Sequence, residues 1–311
     1  MTQPHHFQEP HDNLPLTGRD EARSRSYTNH DKQASPAPVE QESAAAHEQA
    51  PVQPETVPVG EAALEISGLV KVFDDKVAVN GINLFVPYGS FFGLVGRNGA
   101  GKTTTLSMAT GMLRPTEGTV RIAGVDVWSQ PLDAKRKVGV LPDGVFLFDR
   151  LTGEQLITYA GRLHGLDEKT VASRTADLLR AMDLQDAAGR IVADYSAGMT
   201  KKVALAAAMI HAPSLLVLDE PFEAVDPVSA SNIQDILKAF VARGGTVILS
   251  SHVMDLVQRL CDHVAIMNDG RLLAAGTTGE VRGGLSLEER FISLVGGRHE
   301  GGEGLSWLQS L

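Results

Sequence analysis

The sequence lacks the features that would point to membrane insertion or to disulfide chemistry. No stretch approaches the roughly 18 consecutive apolar residues of a membrane-spanning helix, and the N-terminus lacks the basic and then apolar pattern of a secretory leader. The single cysteine, Cys261, excludes an internal disulfide and a metal cluster built on thiolates. The 311 residues, 43% hydrophobic and 21% charged, therefore predict a soluble, cytoplasmic globular protein with a buried, inert thiol.

The chain also lacks an excess of positive charge. Its net charge of -10 argues against general nucleic-acid binding, because neutralising phosphates usually needs a basic face. Half of this excess lies in residues 1–60, which hold nine acidic and four basic residues, with eight of the 15 prolines and five of the ten histidines. Because that segment has almost no large apolar side chains to offset its ordering entropy, residues 1–60 are predicted to be a disordered acidic tail.

From residue 61 onward, short apolar runs rich in Val, Ile and Leu predict strands. These runs are ALEISGLVKVF, INLFVPY, TVRIAG, KVGVLPD, LLVLDEP, TVILSS and HVAIMNDG. Helical stretches alternate with the later strands, which implies a mostly parallel sheet covered on both faces. Asp269 and Gly270, at the end of the last of these runs, predict a hairpin turn that leads into RLLAAG.

The strand patterns stop between about 144 and 199. Helical patterns replace them there, which predicts an all-helical insertion inside an α/β domain. The domain is predicted to span 61–295, and a short C-terminal tail is predicted at 296–311. Capping patterns predict the first residues of the two inserted helices and of a last helix: Thr152 with Gln155, Asp167, and Ser286 with Glu289.

GRNGAGKTT, residues 96–104, follows the apolar strand SFFGLV and opens a helix, which is the context of a Gly-x4-Gly-Lys-Thr phosphate loop. The loop glycines allow backbone N–H groups and the helix N-terminus to surround phosphate oxygens. Lys102 supplies charge for the outer phosphates, Thr103 offers a hydroxyl to magnesium, and Thr104 can bond a phosphate nearer the nucleoside. The glycines of this loop are Gly96, Gly99 and Gly101.

LLVLDEP, residues 215–221, is an apolar run that ends in two carboxylates. Ligands bind beyond the carboxyl ends of strands in an open parallel sheet. Asp219 can hold magnesium, directly or through water, while Glu220 can orient and deprotonate an attacking water. The alternative, two solvated acids at a strand end, is common for such pairs taken alone.

YSAGM, residues 195–199, offers a second site for an anion at the start of a helix. The Ser196 hydroxyl and the free N–H groups of a helix start carry partial positive charge that suits a γ-phosphate. For Ser196 and Gly198 the alternative is a helix cap of small residues. The following Lys201 and Lys202 either add positive potential or lie on a solvated helix face.

The phosphate loop, YSAGM, LVLDEP, AVDP and the histidine of LSSH occur in the order and approximate spacing of the ATP-binding cassette (ABC) ATPases. The chain resembles this family from about 62 to 295, most of all its single-cassette subunits that pair with separate membrane subunits. The resemblance implies a RecA-like P-loop NTPase core with an antiparallel β portion and an inserted helical subdomain. It also implies that two cassettes meet head to tail, so that Ser196 and Gly198 would serve the nucleotide of a partner chain.

Four further residues take roles from the resemblance. His252 matches the histidine that contacts the γ-phosphate, and Phe73 matches the aromatic that stacks on adenine; packing or surface roles are the alternatives. Asp226 matches the loop that crosses to the opposite site, and it is also a candidate helix cap. The resemblance assigns Asn98, inside the phosphate loop, to nucleotide binding.

Two motifs depart from the family's pattern. VLPD places Asp143 where the family usually has glutamine; aspartate is shorter and charged, so it is predicted to reach magnesium through water, with its hinge and sensing role left open. YSAGM, residues 195–199, corresponds to the family's signature motif, and it has Tyr195, Ala197 and Met199 in place of the commonest Leu, Gly and Gln. Because the serine and the second glycine of the signature remain, its phosphate contacts are expected to survive.

The resemblance therefore predicts the ATP-hydrolysing subunit of an ABC transporter, with ATP and Mg²⁺ as cofactors. Glu220, His252 and Lys102 are the predicted catalytic residues. The expected partners are a second cassette and a transmembrane permease, without nucleic acid, on the inner face of the cell membrane, and export is favoured. Two alternatives are a soluble cassette ATPase acting on ribosomes or DNA and a regulatory subunit that binds ATP without cleaving it.

Overall fold

The larger of two sheets is built from apolar strands spread over the chain. The structure, a computed structural model, describes residues 62–144 and 147–296. The predicted N-terminal tail at 1–60 and residues 297–311 of the predicted C-terminal tail lie outside the described residues. The sheet has six strands: β3 (Phe91–Val95), β6 (Val138–Leu141), β7 (Leu215–Leu218), β8 (Thr246–Ser251), β9 (His263–Asn268) and β10 (Arg271–Thr277). Their spatial order is β10-β9-β3-β8-β7-β6, and all neighbours are parallel except β10 with β9.

Both faces of this sheet are covered. Every residue of β3, β7 and β8 is buried, which is typical of parallel strands with helices on both sides. Phe91 and Val95 pack into one core cluster and Phe92 and Leu94 into a second, because successive side chains of a strand point to opposite faces. The predicted α/β class, with a mostly parallel sheet, is confirmed.

Helices follow or connect the strands of this sheet. Six of them lie outside the predicted insertion: α1 (Lys102–Ala109), α2 (Pro131–Lys137), α6 (Pro227–Ala242), α7 (Met254–Leu260), α8 (Thr278–Arg282) and α9 (Leu287–Val295). Helix α9 begins with the predicted capping box of Ser286 and Glu289. Among the described residues, none of the helices is both long and apolar enough to cross a bilayer.

The second sheet is antiparallel and has four strands. They are β1 (Ala62–Phe73), β2 (Lys76–Pro87), β4 (Glu117–Ile122) and β5 (Val125–Asp126), in the order β2-β1-β4-β5. Strand β2 starts six residues before the predicted run INLFVPY. The first half of β2 carries exposed Lys76 and Val77 and has no clear apolar pattern, so the sequence did not indicate a strand there. Antiparallel pairing with β1 stabilises the extended conformation of this half.

Between β6 and α5 (Ala197–Met209), the described residues contain helices and loops and no strand. The helices are α3 (Gly153–Leu163) and α4 (Glu168–Ala181), followed by two short 3₁₀ turns. Thr152 accepts from the Gln155 N–H and Gln155 reaches back to the Thr152 N–H, so the predicted capping box is confirmed. Asp167 caps α4, also as predicted. The boundaries of the helical insertion remain a prediction.

Two local predictions concern single turns and side chains. Asp269 and Gly270 join β9 to β10 with positive φ at both residues, 45° and 74°, which is the geometry of a tight hairpin turn and confirms the prediction. Cys261 is buried, as predicted, and burial raises the pKa of its thiol.

Candidate nucleotide site

The phosphate loop joins β3 to α1 and leaves the start of the helix open to an anion. Gly101 sits at the N-cap with φ of 102°, in the left-handed region that favours glycine, and among the described residues no side chain caps this helix. The first N–H groups of α1 are thus free to bind phosphate oxygens. Gly96 cannot carry a side chain without rearrangement, because a Cβ there would lie 2.3 Å from the Met267 carbonyl oxygen.

Lys102 is held inside the site rather than in solvent. Only 6% of its surface is exposed, and its Nζ donates to the Gly96 carbonyl oxygen at 2.9 Å. The same nitrogen lies 3.6 Å from Glu220 Oε1. The nitrogen also donates to the Arg97 carbonyl oxygen at 3.4 Å, so the three donors of this buried ammonium all have partners and phosphate oxygens would bind by replacing them.

Asp219 and Glu220 follow β7 and are both buried, with 4% and 9% of their surfaces exposed. The Ser250 hydroxyl donates to Asp219 Oδ1, while the Glu220 N–H donates to Ser250 Oγ at 3.0 Å. His252 Nδ1 lies 3.1 Å from Glu220 Oε1. Since an ionised carboxylate only accepts, Nδ1 carries the hydrogen in this contact.

Most predicted nucleotide-binding residues line one cavity of about 620 Å³. This volume falls within the range of small-ligand sites. Phe73 lies at its edge with 43% of its surface exposed, which leaves an aromatic surface for stacking. The predicted residues in the lining are Phe73, Asn98, Gly99, Gly101, Lys102, Thr103, Thr104, Asp143, Glu220 and His252.

The oxygen ligands predicted for magnesium also come together. Thr103, Asp143 and Asp219 line a neighbouring cavity of about 340 Å³, and Thr103 and Asp143 line both. A hydroxyl with two carboxylates is the donor set that Mg²⁺ prefers, so these residues fit the ion. Asp143 Oδ1 accepts from the Gly144 N–H at 2.8 Å, which leaves its second oxygen for other contacts.

Four predicted residues that the structure describes are not part of either lining: Gly96, Ser196, Gly198 and Asp226. Gly96 belongs to the phosphate loop itself, whereas the other three lie elsewhere. Ser196 is exposed and caps α5 by accepting from the Met199 N–H at 3.3 Å. Asp226 caps α6, and the Ser229 N–H holds the pKa of its carboxyl below the ordinary value. A Cβ on Gly198 would lie 2.8 Å from Asp226 Oδ2, so the starts of α5 and α6 are packed together.

Sequence reasoning missed two side chains that hold the site. Ser250 bonds both acidic residues, and nothing in LSS distinguishes it from Ser251 except the alternation of the strand.

The second of these side chains belongs to the lysine pair after YSAGM: Lys201 Nζ donates to the Glu220 carbonyl oxygen at 3.1 Å. Lys202 is 6% exposed, so the interpretation of the lysine pair as a solvated helix face is wrong for it. The position of TKK directly after YSAGM is the one sequence feature that could have indicated a role for these lysines near the site.

Comparison with known proteins places this geometry in a family. Residues 79–223 match a family model described as ABC transporter. The chain is 40% identical over 223 residues to the daunorubicin/doxorubicin resistance ATP-binding protein DrrA of Streptomyces peucetius, covering 72% of this chain and 68% of that protein. It is 35% identical over 215 residues to the Nod factor export ATP-binding protein I of Burkholderia lata, covering 69% and 71%.

Solved structures agree with this assignment. An ATP binding subunit of an ABC transporter superposes with a TM-score of 0.71 at 29% identity, covering 75% of this chain and 99% of that one. The P-loop NTPase core predicted from the resemblance is therefore confirmed. The chain has this fold and a phosphate-loop cavity, and it covers two thirds of the length of a relative to which it is 40% identical. It therefore belongs to the ATP-binding proteins of ABC transporters and is an ATPase that binds ATP.

Proposed function

We propose that this ATPase works as a head-to-tail dimer that binds two ATP–Mg²⁺ between its chains and drives a separate membrane subunit. One observation supports this most directly: the predicted nucleotide contacts fall into two groups. One group lines the phosphate-loop cavity, and the other, Ser196, Gly198 and Asp226, lies at the starts of α5 and α6 outside that lining. A second chain related by a two-fold axis would supply the missing group to each cavity.

In the proposed reaction, Glu220 accepts a proton from the water that attacks the γ-phosphorus, and ADP leaves with the electrons of the broken P–O bond. Lys102 would exchange its bonds to the Gly96 and Arg97 carbonyl oxygens for the outer phosphates, and His252 Nδ1 would hold the Glu220 carboxylate at Oε1. Magnesium, held by Thr103 and Asp219 with Asp143 through water, would supply further positive charge to the phosphates.

We propose that the transport system is an exporter and that this chain works at the cell membrane. The two relatives described above are named for drug resistance and for Nod factor export, which supports export for this chain. We place the ATPase domain at residues 61–295, with the helical insertion at about 144–199 passing motion to the membrane subunit through a hinge near Asp143. The chain would then lie on the inner face of the cell membrane through that subunit, without nucleic acid.

Glu220→Gln tests the proposed base and the dimer together. The variant keeps the shape of the side chain but removes the proton acceptor, so the ATPase rate should fall by about a hundredfold or more. Because ATP would persist in the closed sites, the variant should run as a dimer in ATP–Mg²⁺ by size exclusion with light scattering. Glu154→Gln, an exposed acid in the first turn of α3, is the matched control. Wild-type turnover by Glu220→Gln would refute the base.

Affinity purification from native membranes tests the partner. A tagged Glu220→Gln chain should recover a multi-span membrane protein in ATP, because the ATP-bound form is the one that closes against its partner. Recovery of ribosomal RNA instead would favour the alternative of a soluble cassette ATPase that acts on ribosomes or DNA. The same purification without nucleotide is the control.

A further inference from the structure

Glu220 has a strained backbone as well as a reactive side chain. Its φ is 45°, in the left-handed region that a residue with a Cβ rarely adopts. Such a conformation persists only where the surrounding structure holds it, and it is frequent at functional sites. The direction of the Glu220 side chain depends on this backbone conformation, so whatever fixes the backbone also aims the carboxylate.

Two side chains from different elements hold the two peptide groups of this residue. The Ser250 hydroxyl, at the end of β8, accepts from the Glu220 N–H at 3.0 Å. Lys201, on α5, donates from Nζ to the Glu220 carbonyl oxygen at 3.1 Å, an oxygen that also accepts from the Glu223 N–H at 3.2 Å. Hydrogen bonds from a charged donor are about twice as strong as neutral ones, so Lys201 is the strongest of these restraints.

Lys201 also links the two groups of predicted nucleotide contacts within one chain. It lies five residues after Ser196, in the second turn of the helix that Ser196 caps. The lysine is partly buried, and its contact with Glu220 joins residues 19 positions apart. A displacement of the start of α5 would therefore act directly on the backbone of Glu220 through this hydrogen bond.

We propose that Lys201 is a positioning residue for hydrolysis, which fixes the peptide of Glu220 and connects the signature helix to the base of the same chain. The inference rests on the proposed function, in which Glu220 is the base and α5 begins at the partner's nucleotide. Lys201 does not line the nucleotide cavity. Its loss should therefore affect turnover and leave ATP binding nearly unchanged.

The test compares Lys201→Met, Lys201→Arg and the control Lys238→Met, an exposed lysine of α6. Lys201→Met should lower kcat about tenfold, with the KM for ATP changed by less than about twofold. Lys201→Arg, which keeps a charged donor, should recover part of the loss. A wild-type kcat for Lys201→Met, or a kcat loss that arginine does not relieve, would overturn the proposal.

A second measurement separates positioning from folding and from the proposed function. In the Glu220→Gln background, Lys201→Met should still form the ATP-dependent dimer and should cause no further loss of the residual rate, because the carboxylate that Lys201 positions is already absent. A double variant that no longer dimerises would show that Lys201 serves association and would overturn its positioning role. A Glu220→Gln single variant that fails to dimerise would instead count against the proposed function.

Discussion

At the scale of single residues, an unexpected contact is the stack of His164 on His211. Their rings lie 3.7 Å apart and nearly parallel, with 1° between the planes. His211 Nε2 lies 3.1 Å from the Val138 carbonyl oxygen and can donate to it, which fixes the neutral tautomer. Burial, followed by the charges of His164 and Arg174, lowers the pKa of His211 to about 4.

This stack predicts a loss of stability in acid. The folded-state pKa of about 4 lies below the ordinary value of 6.5, so the unfolded chain binds the proton more readily between these values. Stability from this source is complete above about pH 6.5 and is lost as the pH falls toward 4. Urea unfolding at several pH values should therefore show a smaller decline for His211→Gln, which keeps a donor for Val138 but does not titrate.

Lys135 also lines the cavity that contains both histidines. His211→Gln leaves Lys135 and Arg174 in place, so the two proteins differ only in the group at position 211. An identical decline in wild type and variant would contradict the assignment of the acid sensitivity to His211.

At the scale of elements, the start of α3 packs against the segment that precedes α5. The Tyr195 hydroxyl donates to the Ala187 carbonyl oxygen at 2.7 Å, and burial raises the pKa of this phenol. The ring lies where a side chain on Gly153 would otherwise be, since a Cβ there would come within 2.1 Å of the hydroxyl oxygen. Tyrosine at this signature position thus requires glycine in the first turn of α3.

Gly153→Ala should therefore destabilise the protein by about 1–3 kcal/mol, the usual effect of overpacking. The added methyl should cost less in a Tyr195→Phe background, which removes the clashing oxygen. Urea unfolding of both single variants and the double variant measures this coupling. Gly279→Ala in α8, where a Cβ would meet open space, is the control. Additive effects of the two changes would contradict the steric explanation.

At the scale of the whole molecule, the central expectation is that one chain does not contain a complete reaction centre. Lys102 and Glu220 face the phosphate-loop cavity, while Ser196 lies exposed at the start of α5. In a two-fold dimer, each site would combine the first group from one chain with the second group from the other.

Complementation between inactive variants tests this arrangement. Lys102→Ala and Ser196→Arg should each abolish ATPase activity alone. In a mixed dimer, one site carries both changes and the other carries neither, so an equal mixture should recover up to about a quarter of the wild-type activity. Phosphate release after mixing in ATP–Mg²⁺ is the measurement. Activity of Ser196→Arg alone at the wild-type rate would contradict the shared site.

The sequence predicted those parts of the fold and site that depend on local patterns. The capping residues Thr152 and Ser286, the hairpin turn and the strand ends that bear Asp219 and Glu220 are all readable from short segments. Helix α2 was missed because its seven residues, PLDAKRK, bury only Ala134.

Contacts between distant segments were not predictable in this way. Lys201 contacts a residue 19 positions away, Ser250 a residue 30 positions away, and His164 stacks on a ring 47 positions along the chain. Each of these contacts depends on how separate elements pack. No periodicity of the sequence records that packing, because local patterns specify only which face of an element is apolar.

The strand order described above ties catalysis to the completion of folding. Val95 pairs with Ser251 and Leu218 with Leu249, so the phosphate loop, Glu220 and His252 meet only when β3, β8 and β7 are all aligned. A slip by one residue would turn every side chain of a strand to the opposite face. Recovery of enzymatic activity after dilution from denaturant should therefore lag behind recovery of the helical circular dichroism signal. The active centre is assembled from segments that are distant in sequence, and contacts between such segments form slowly.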